Sequence, residues 1–140
     1  MITPNEQTIS GETDLEKLLS SLSPVLLDDE YVFCSFKNAR YGDHKELEPL
    51  ATFVEIEGLT LLVLKQLADD NRVHYETVFK CITLTVHSSL NAIGLTAAVS
   101  TKLAENNISA NVIAAYYHDH VFIQAEHAHY ALSLLKELVR

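Results

Sequence analysis

Hydrophobic and polar positions alternate most clearly from Lys80 to His87, where Ile82, Leu84 and Val86 stand against Cys81, Thr83 and Thr85. A period of two marks a strand with one face turned toward a core. The polar segment His87-Ser88-Ser89-Leu90-Asn91-Ala92-Ile93-Gly94 follows. Leu95, Val99 and Leu103 then recur at helical spacing as far as Asn106-Asn107. Ile108 to Tyr117 and Val121 to Gln124 read as strands joined through the turn His118-Asp119-His120. A last helix over His127 to Val139 gathers Ala131, Leu135 and Leu138 on one side.

The first half carries a similar pattern less cleanly. Residues 1–12, polar with Pro4 and Gly11, are expected to form a flexible tail. Thr13 with Glu16 three residues on makes a capping box. From there Leu15, Leu18, Leu19, Leu22, Val25 and Leu26 continue at helical spacing, with Pro24 disturbing the last turn. Tyr31 to Phe36, rich in aromatic and β-branched residues, predicts a strand, and Asn38 to Glu48 a polar loop. Leu50 to Ile56 and Leu59 to Leu64 flank the hairpin-like break Glu57-Gly58. A short helix over Gln66 to Asn71 and a junction over Arg72 to Thr77 complete this half. The expected organisation is a tail (1–12), an N-terminal half (13–77) and a C-terminal half (78–140).

Composition narrows the function classes. The chain has 140 residues, 48% hydrophobic and 21% charged, which suits a globular protein with a real core. Its net charge of −9 argues against nucleic acid, since no lysine or arginine cluster exists to release counterions. No apolar run approaches the roughly 20 residues of a membrane span. The N-terminus lacks the basic and apolar regions of a signal peptide, so a cytoplasmic location is expected. Cys34 and Cys81 lie in strand-like apolar runs and are expected to be buried free thiols.

Catalytic and metal chemistry find little support. His118-x-His120 straddles a turn, and His127-x-His129 sits where a helix begins, where residues two apart do not face each other. Solvated histidines are expected there, with a metal-binding protein a distant alternative. Ser88 and Ser89 follow His87, and Asp119 is available, but no Gly-x-Ser-x-Gly turn exists to set a nucleophile. The four glycines are dispersed, so there is no phosphate loop. Neither an enzyme nor a cofactor is expected.

Binding chemistry is better served. Gly94 precedes a helix, where free N–H groups can meet a carboxylate. Asp119, read as lying on the loop after the following strand, can meet an ammonium. Donors at one end and an acceptor at the other suit a free amino acid.

Gly94-Leu95-Thr96-Ala97-Ala98 through Ile108-Ser109-Ala110, with Tyr116-Tyr117-His118-Asp119-His120-Val121-Phe122, resembles an ACT domain, the small ligand-binding module of amino-acid-regulated enzymes. The first half matches in element order and in Tyr31-Val32-Phe33, Ala51-Thr52-Phe53 and Glu57-Gly58-Leu59-Thr60. The chain is most similar to tandem-ACT proteins, bacterial stand-alone ones and the CASTOR-type arginine sensors. The resemblance implies an α/β (α+β), ferredoxin-like fold, an antiparallel sheet with helices mainly on one face. The second half alone, strand-helix-strand-strand-helix, is one strand short of such a unit, so the first half is expected to lend one. The strand order is accordingly expected to interleave the halves.

The resemblance further implies a non-catalytic regulatory protein whose pocket has Ala92, Ile93, Gly94 and Thr96 on one wall. Ala115, Tyr116, Tyr117, His118 and Asp119 form the other. Ala92 and Ala115 depart from the arginine sensors, which carry larger polar residues there, so the amino acid is left open. The expected partners are that ligand, further copies of the chain as a homo-oligomer, and a regulated protein. The alternative is a ligand-free assembly module using its sheet edges.

Overall fold

Pro24 ends the first helix before its apolar stripe is exhausted. In the structure, a computed structural model that describes residues 14–85 and 93–139, α1 spans Leu15–Ser21. Its cap is Asp14, whose carboxylate accepts the Lys17 N–H at 3.2 Å. The expected tail and the Thr13 start lie outside the described residues. Proline lacks an N–H and turns the residue before it away from helix. Val25 and Leu26, read above as the helix's last turn, therefore belong to a strand.

That strand, β1 (Pro24–Phe36), starts well before the expected Tyr31 and has thirteen residues. It serves two partners. Pro24 to Leu26 and, past a break in register, Glu30 and Tyr31 pair with β4 (Phe79–Leu84), and Tyr31 to Phe36 pairs with β3 (Leu59–Leu64). β2 (Ala51–Val54) joins the free edge of β3. In the second half β4 pairs with β6 (Asp119–Gln124), and β6 with β5 (Asn111–Ala114). The result is one six-stranded antiparallel sheet, order β2-β3-β1-β4-β6-β5.

Each half borrows the other's inner edge strand, β4 or β1, as its fourth, so the missing strand is lent as expected. The halves do not interleave, however. Short turns keep β2 beside β3 and β5 beside β6, and the pairing of β1 with β4 satisfies both halves without a crossing.

Four helices among the described residues cover one face. α1, α3 (Leu95–Ala104) and α4 (Ala128–Lys136) enclose a core of Leu18, Leu19, Ile82, Leu84, Leu95, Val99, Leu103, Val121, Ile123 and Leu135. On the first half, α2 (Lys65–Asp70) and a 3₁₀ turn at Lys45–Leu47 cover Val32, Cys34, Leu59, Leu61 and Val63. The opposite face holds Tyr31, Leu62, Cys81 and Phe122. No described helix covers it, yet Leu62 and Phe122 are each 1% exposed, because the sheet curls over its own concave side. Tyr31 and Phe33 meet Phe122 edge-on at 5.7 and 6.0 Å.

The hairpin boundaries correct the sequence reading. β5 is only Asn111–Ala114, inside the expected Ile108 to Tyr117, and β2 is shorter than Leu50 to Ile56. The turn is Ala115 to His118, closed by the Ala115 N–H donating to the His118 carbonyl at 3.0 Å. Asp119 and His120 are therefore strand residues. α4 begins at Ala128 after a 3₁₀ turn, not at His127.

Candidate functional site

The second hairpin sets the site's floor. Asp119 opens β6 and pairs with Leu84 on one side and Ala114 on the other. Alternate strand residues share a face, so Asp119 lies on the helix side with Val121 and Ile123. It is 7% exposed, one of two buried polar side chains among the described residues, the other being Thr83. Burial pushes its carboxyl above the usual value, opposed by the neighbouring His120 and His118.

The first hairpin shows how unusual that carboxylate is. Its turn, Glu55 to Gly58, is closed in the same way, by the Glu55 N–H on the Gly58 carbonyl at 2.9 Å. Its second strand opens with Leu59, 0% exposed, and repeats the burial pattern of β6 residue for residue.

The other wall starts at Gly94. Its φ of 103° is left-handed, and it caps α3 without a side chain. A Cβ there would come within 3.0 Å of Leu15 Cδ2. The glycine thus serves helix packing, a role the sequence alone did not give it. The first helical bond is Ala98 N–H to Gly94 carbonyl at 2.8 Å, so the N–H groups of Leu95, Thr96 and Ala97 lie before the helical ladder. The Leu84–Asp119 strand pair and Leu95 meet in one packed cluster through Leu84, which sets the carboxylate and this helix start at the same end of the sheet.

The remaining expected residues are more dispersed. Ala92, with the whole turn from Val86, lies outside the described residues. Ile93 is 85% exposed, and Thr96 and Ala115 are exposed. Tyr116 and Tyr117 pack edge-on at 5.6 Å across the turn, and His118 follows them.

Two features escaped the sequence reading. On the concave face, Thr83 Oγ1 and His120 Nδ1 are 3.0 Å apart, and Cys81 Sγ lies 3.8 Å from the same hydroxyl. Burial holds the His120 imidazole below its usual value, helped by His118 and opposed by Asp119. Burial also raises the Cys81 thiol. The alternation through Cys81, Thr83 and Thr85 carried that signal. The second feature is a cavity of about 800 Å³ in the first half, bounded by the end of β1, the 3₁₀ turn and residues 71–77. No group of three or more metal-ligating side chains converges among the described residues, and no described helix is long and apolar enough to cross a membrane.

Comparison with known proteins places this architecture. A crystal structure of a Vibrio cholerae protein of unknown function, a possible transport protein, is 52% identical over 90% of this chain and 96% of its own, with a TM-score of 0.81. The regulatory subunit of aspartate kinase from Thermus thermophilus shares the fold at 12% identity, covering 84% of this chain and 97% of its own (TM-score 0.61). A putative C-terminal regulatory domain of aspartate kinase from Porphyromonas gingivalis does so at 16%, covering 86% and 98% (TM-score 0.58). No curated protein matches. ACT-domain family models match residues 10–80 and again residues 76–137. With two such matches in tandem, the chain belongs to the ACT-domain family.

Proposed function

We propose that the chain is a regulatory protein without catalysis of its own that binds a free amino acid between the start of α3 and the second hairpin. The family and the aspartate kinase regulatory neighbours support a regulatory, ligand-binding role. One observation carries the finer reading: Asp119 is a buried carboxylate where the sister hairpin buries Leu59. A buried charge is costly unless paired, and beyond the neighbouring His120 and His118 a ligand ammonium adds a charge-assisted bond worth about 1.5–3 kcal/mol. The ligand carboxylate meets the N–H groups of Leu95 to Ala97, where the helix dipole adds roughly 0.3–1 kcal/mol. Gly94 and Thr96, with Ala92 and Ile93, form one wall. Ala115, Tyr116, Tyr117 and His118 form the other, and Tyr116 and His118 set specificity. The two halves are 13–77 and 78–140.

A thermal-shift panel of the common amino acids tests this. A ligand at 100 times its dissociation constant adds roughly 2.7 kcal/mol, and Asp119→Ala abolishes the shift while the protein stays folded. An unchanged response in that variant places the site elsewhere.

Assembly is a second reading with its own observation. Phe53 and Val54 on edge strand β2 are 69% and 63% exposed, and Ile56 at the turn is fully so. Such an edge invites pairing with another copy. Sedimentation giving a monomer at micromolar concentration counts against a homo-oligomer.

A further inference from the structure

We propose that the cavity of the first half is a second binding site, separate from the Asp119 site, and that it takes a small organic monoacid with an aromatic or apolar body. The cavity exists because the two halves differ. Between β4 and β5 the second half carries the ten-residue α3. Between β1 and β2 the first half has only the 3₁₀ turn Lys45–Leu47, and the space beside that turn stays open, about 800 Å³. This volume falls within the usual range for small-molecule sites.

Its walls have a definite chemistry. The aromatic surface is Phe33, Phe36 and Phe79, with Phe33 and Phe79 edge-on at 5.3 Å. His44 stacks on Phe36 at 3.8 Å, fixing one end. Arg72 lines the cavity and, like most of the described lysines and arginines, makes no ion pair among the described residues, so its guanidinium is available to a ligand. An unpaired guanidinium beside an aromatic wall is a fork for one carboxylate. Two further lining groups, Glu46 and Glu76, disfavour a phosphate or any polyanion.

The backbone points the same way. Arg72 and His44 adopt left-handed conformations, with φ of 55° and 60°. Arg72 sits where a helix C-terminus ordinarily takes glycine: its N–H donates to the Asp69 carbonyl at 3.1 Å, and the Val73 N–H to Ala68 at 2.8 Å. Arg72 thus stands at a position whose backbone conformation favours glycine.

That conformation also supplies the test. Arg72→Gly removes the guanidinium yet suits the backbone, so the variant folds with a melting temperature equal to or above wild type. The probes are 3-phenylpropanoate and its uncharged counterpart 3-phenylpropan-1-ol, followed by amide NMR on the whole chain. The acid shifts amides of residues 44–47 and 71–77 saturably, with a dissociation constant of roughly 1 mM. The alcohol and Arg72→Gly each bind about tenfold more weakly or worse, and Asp119→Ala binds as wild type does. Absence of saturable shifts in those segments overturns the proposal. So does wild-type affinity in Arg72→Gly, or a response centred on Gly94 and Asp119.

Discussion

Leu59 and Asp119 hold one position in two sister hairpins. Each opens the second strand after a turn closed by the same hydrogen bond, and each faces the helix layer, across from Phe36 and Leu84 respectively. One half fills the position with hydrocarbon, and the other with a carboxylate that burial holds above its usual value. The second half forgoes stability that the first keeps.

Asp119→Leu is therefore expected to stabilise the fold at neutral pH by about 2 kcal/mol, the scale of burying one leucine side chain. The same variant loses any amino-acid response. Urea denaturation with and without the amino acid found in the panel reads both effects. A Leu variant less stable than wild type means that a compensating polar neighbour holds the carboxylate.

The pH dependence has a definite sign. Asp119 is raised above the ordinary 3.8, so between its unfolded and folded values the native state holds more protons, and stability falls as pH rises through that window. Asp119→Asn removes this fall. His120 is lowered below the ordinary 6.5. In its window the unfolded state holds more protons, so stability rises with pH there, and His120→Gln removes that rise. Urea midpoints taken from roughly pH 3 to pH 8 separate the two contributions.

Gly58→Ala is expected to weaken the first hairpin. A Cβ at Gly58 would stand 2.8 Å from the Phe36 carbonyl oxygen, a backbone atom that cannot swing aside. A loss of about 1–3 kcal/mol, the range for overpacking, should appear as a lower urea midpoint with an unchanged slope.

Much of this fold was legible from periodicity. The alternation around Ile82 and Leu84, the Leu95-Val99-Leu103 stripe and the strand Leu59–Leu64 all stand where the pattern put them. Val25 and Leu26 did not, because apolar residues three and four apart also occur where a helix hands over to a strand, and only Pro24 marks the change. For the proposed site, the sequence carried residue identity more than geometry. Asp119 was singled out, but strand and turn assignments two to three residues off put it on a loop, and its burial depends on pairing with Leu84 far away in sequence. The cavity beside Arg72 had no local signal, since it arises from a helix that one half lacks.

Phe122→Ala tests the concave face. Phe122 is 1% exposed and is the ring against which Tyr31 and Phe33 pack. Its truncation is expected to cost about 3–5 kcal/mol, measured by thermal or urea unfolding. A cost under about 1 kcal/mol would mean that the curled sheet collapses readily onto the gap.

The handover at Tyr31 has a consequence for how the chain comes off the ribosome. β1 finds β3 within the first 64 residues, but the stretch Pro24 to Tyr31 has no strand to pair with until Phe79 to Leu84 has been made. Through that interval a nascent chain with a nearly finished half offers a bare strand edge to its neighbours on the polysome. Nor can the gene be cut between the halves and its parts expressed alone, because each fragment would leave its β1 or β4 bare along the edge that the other half covers.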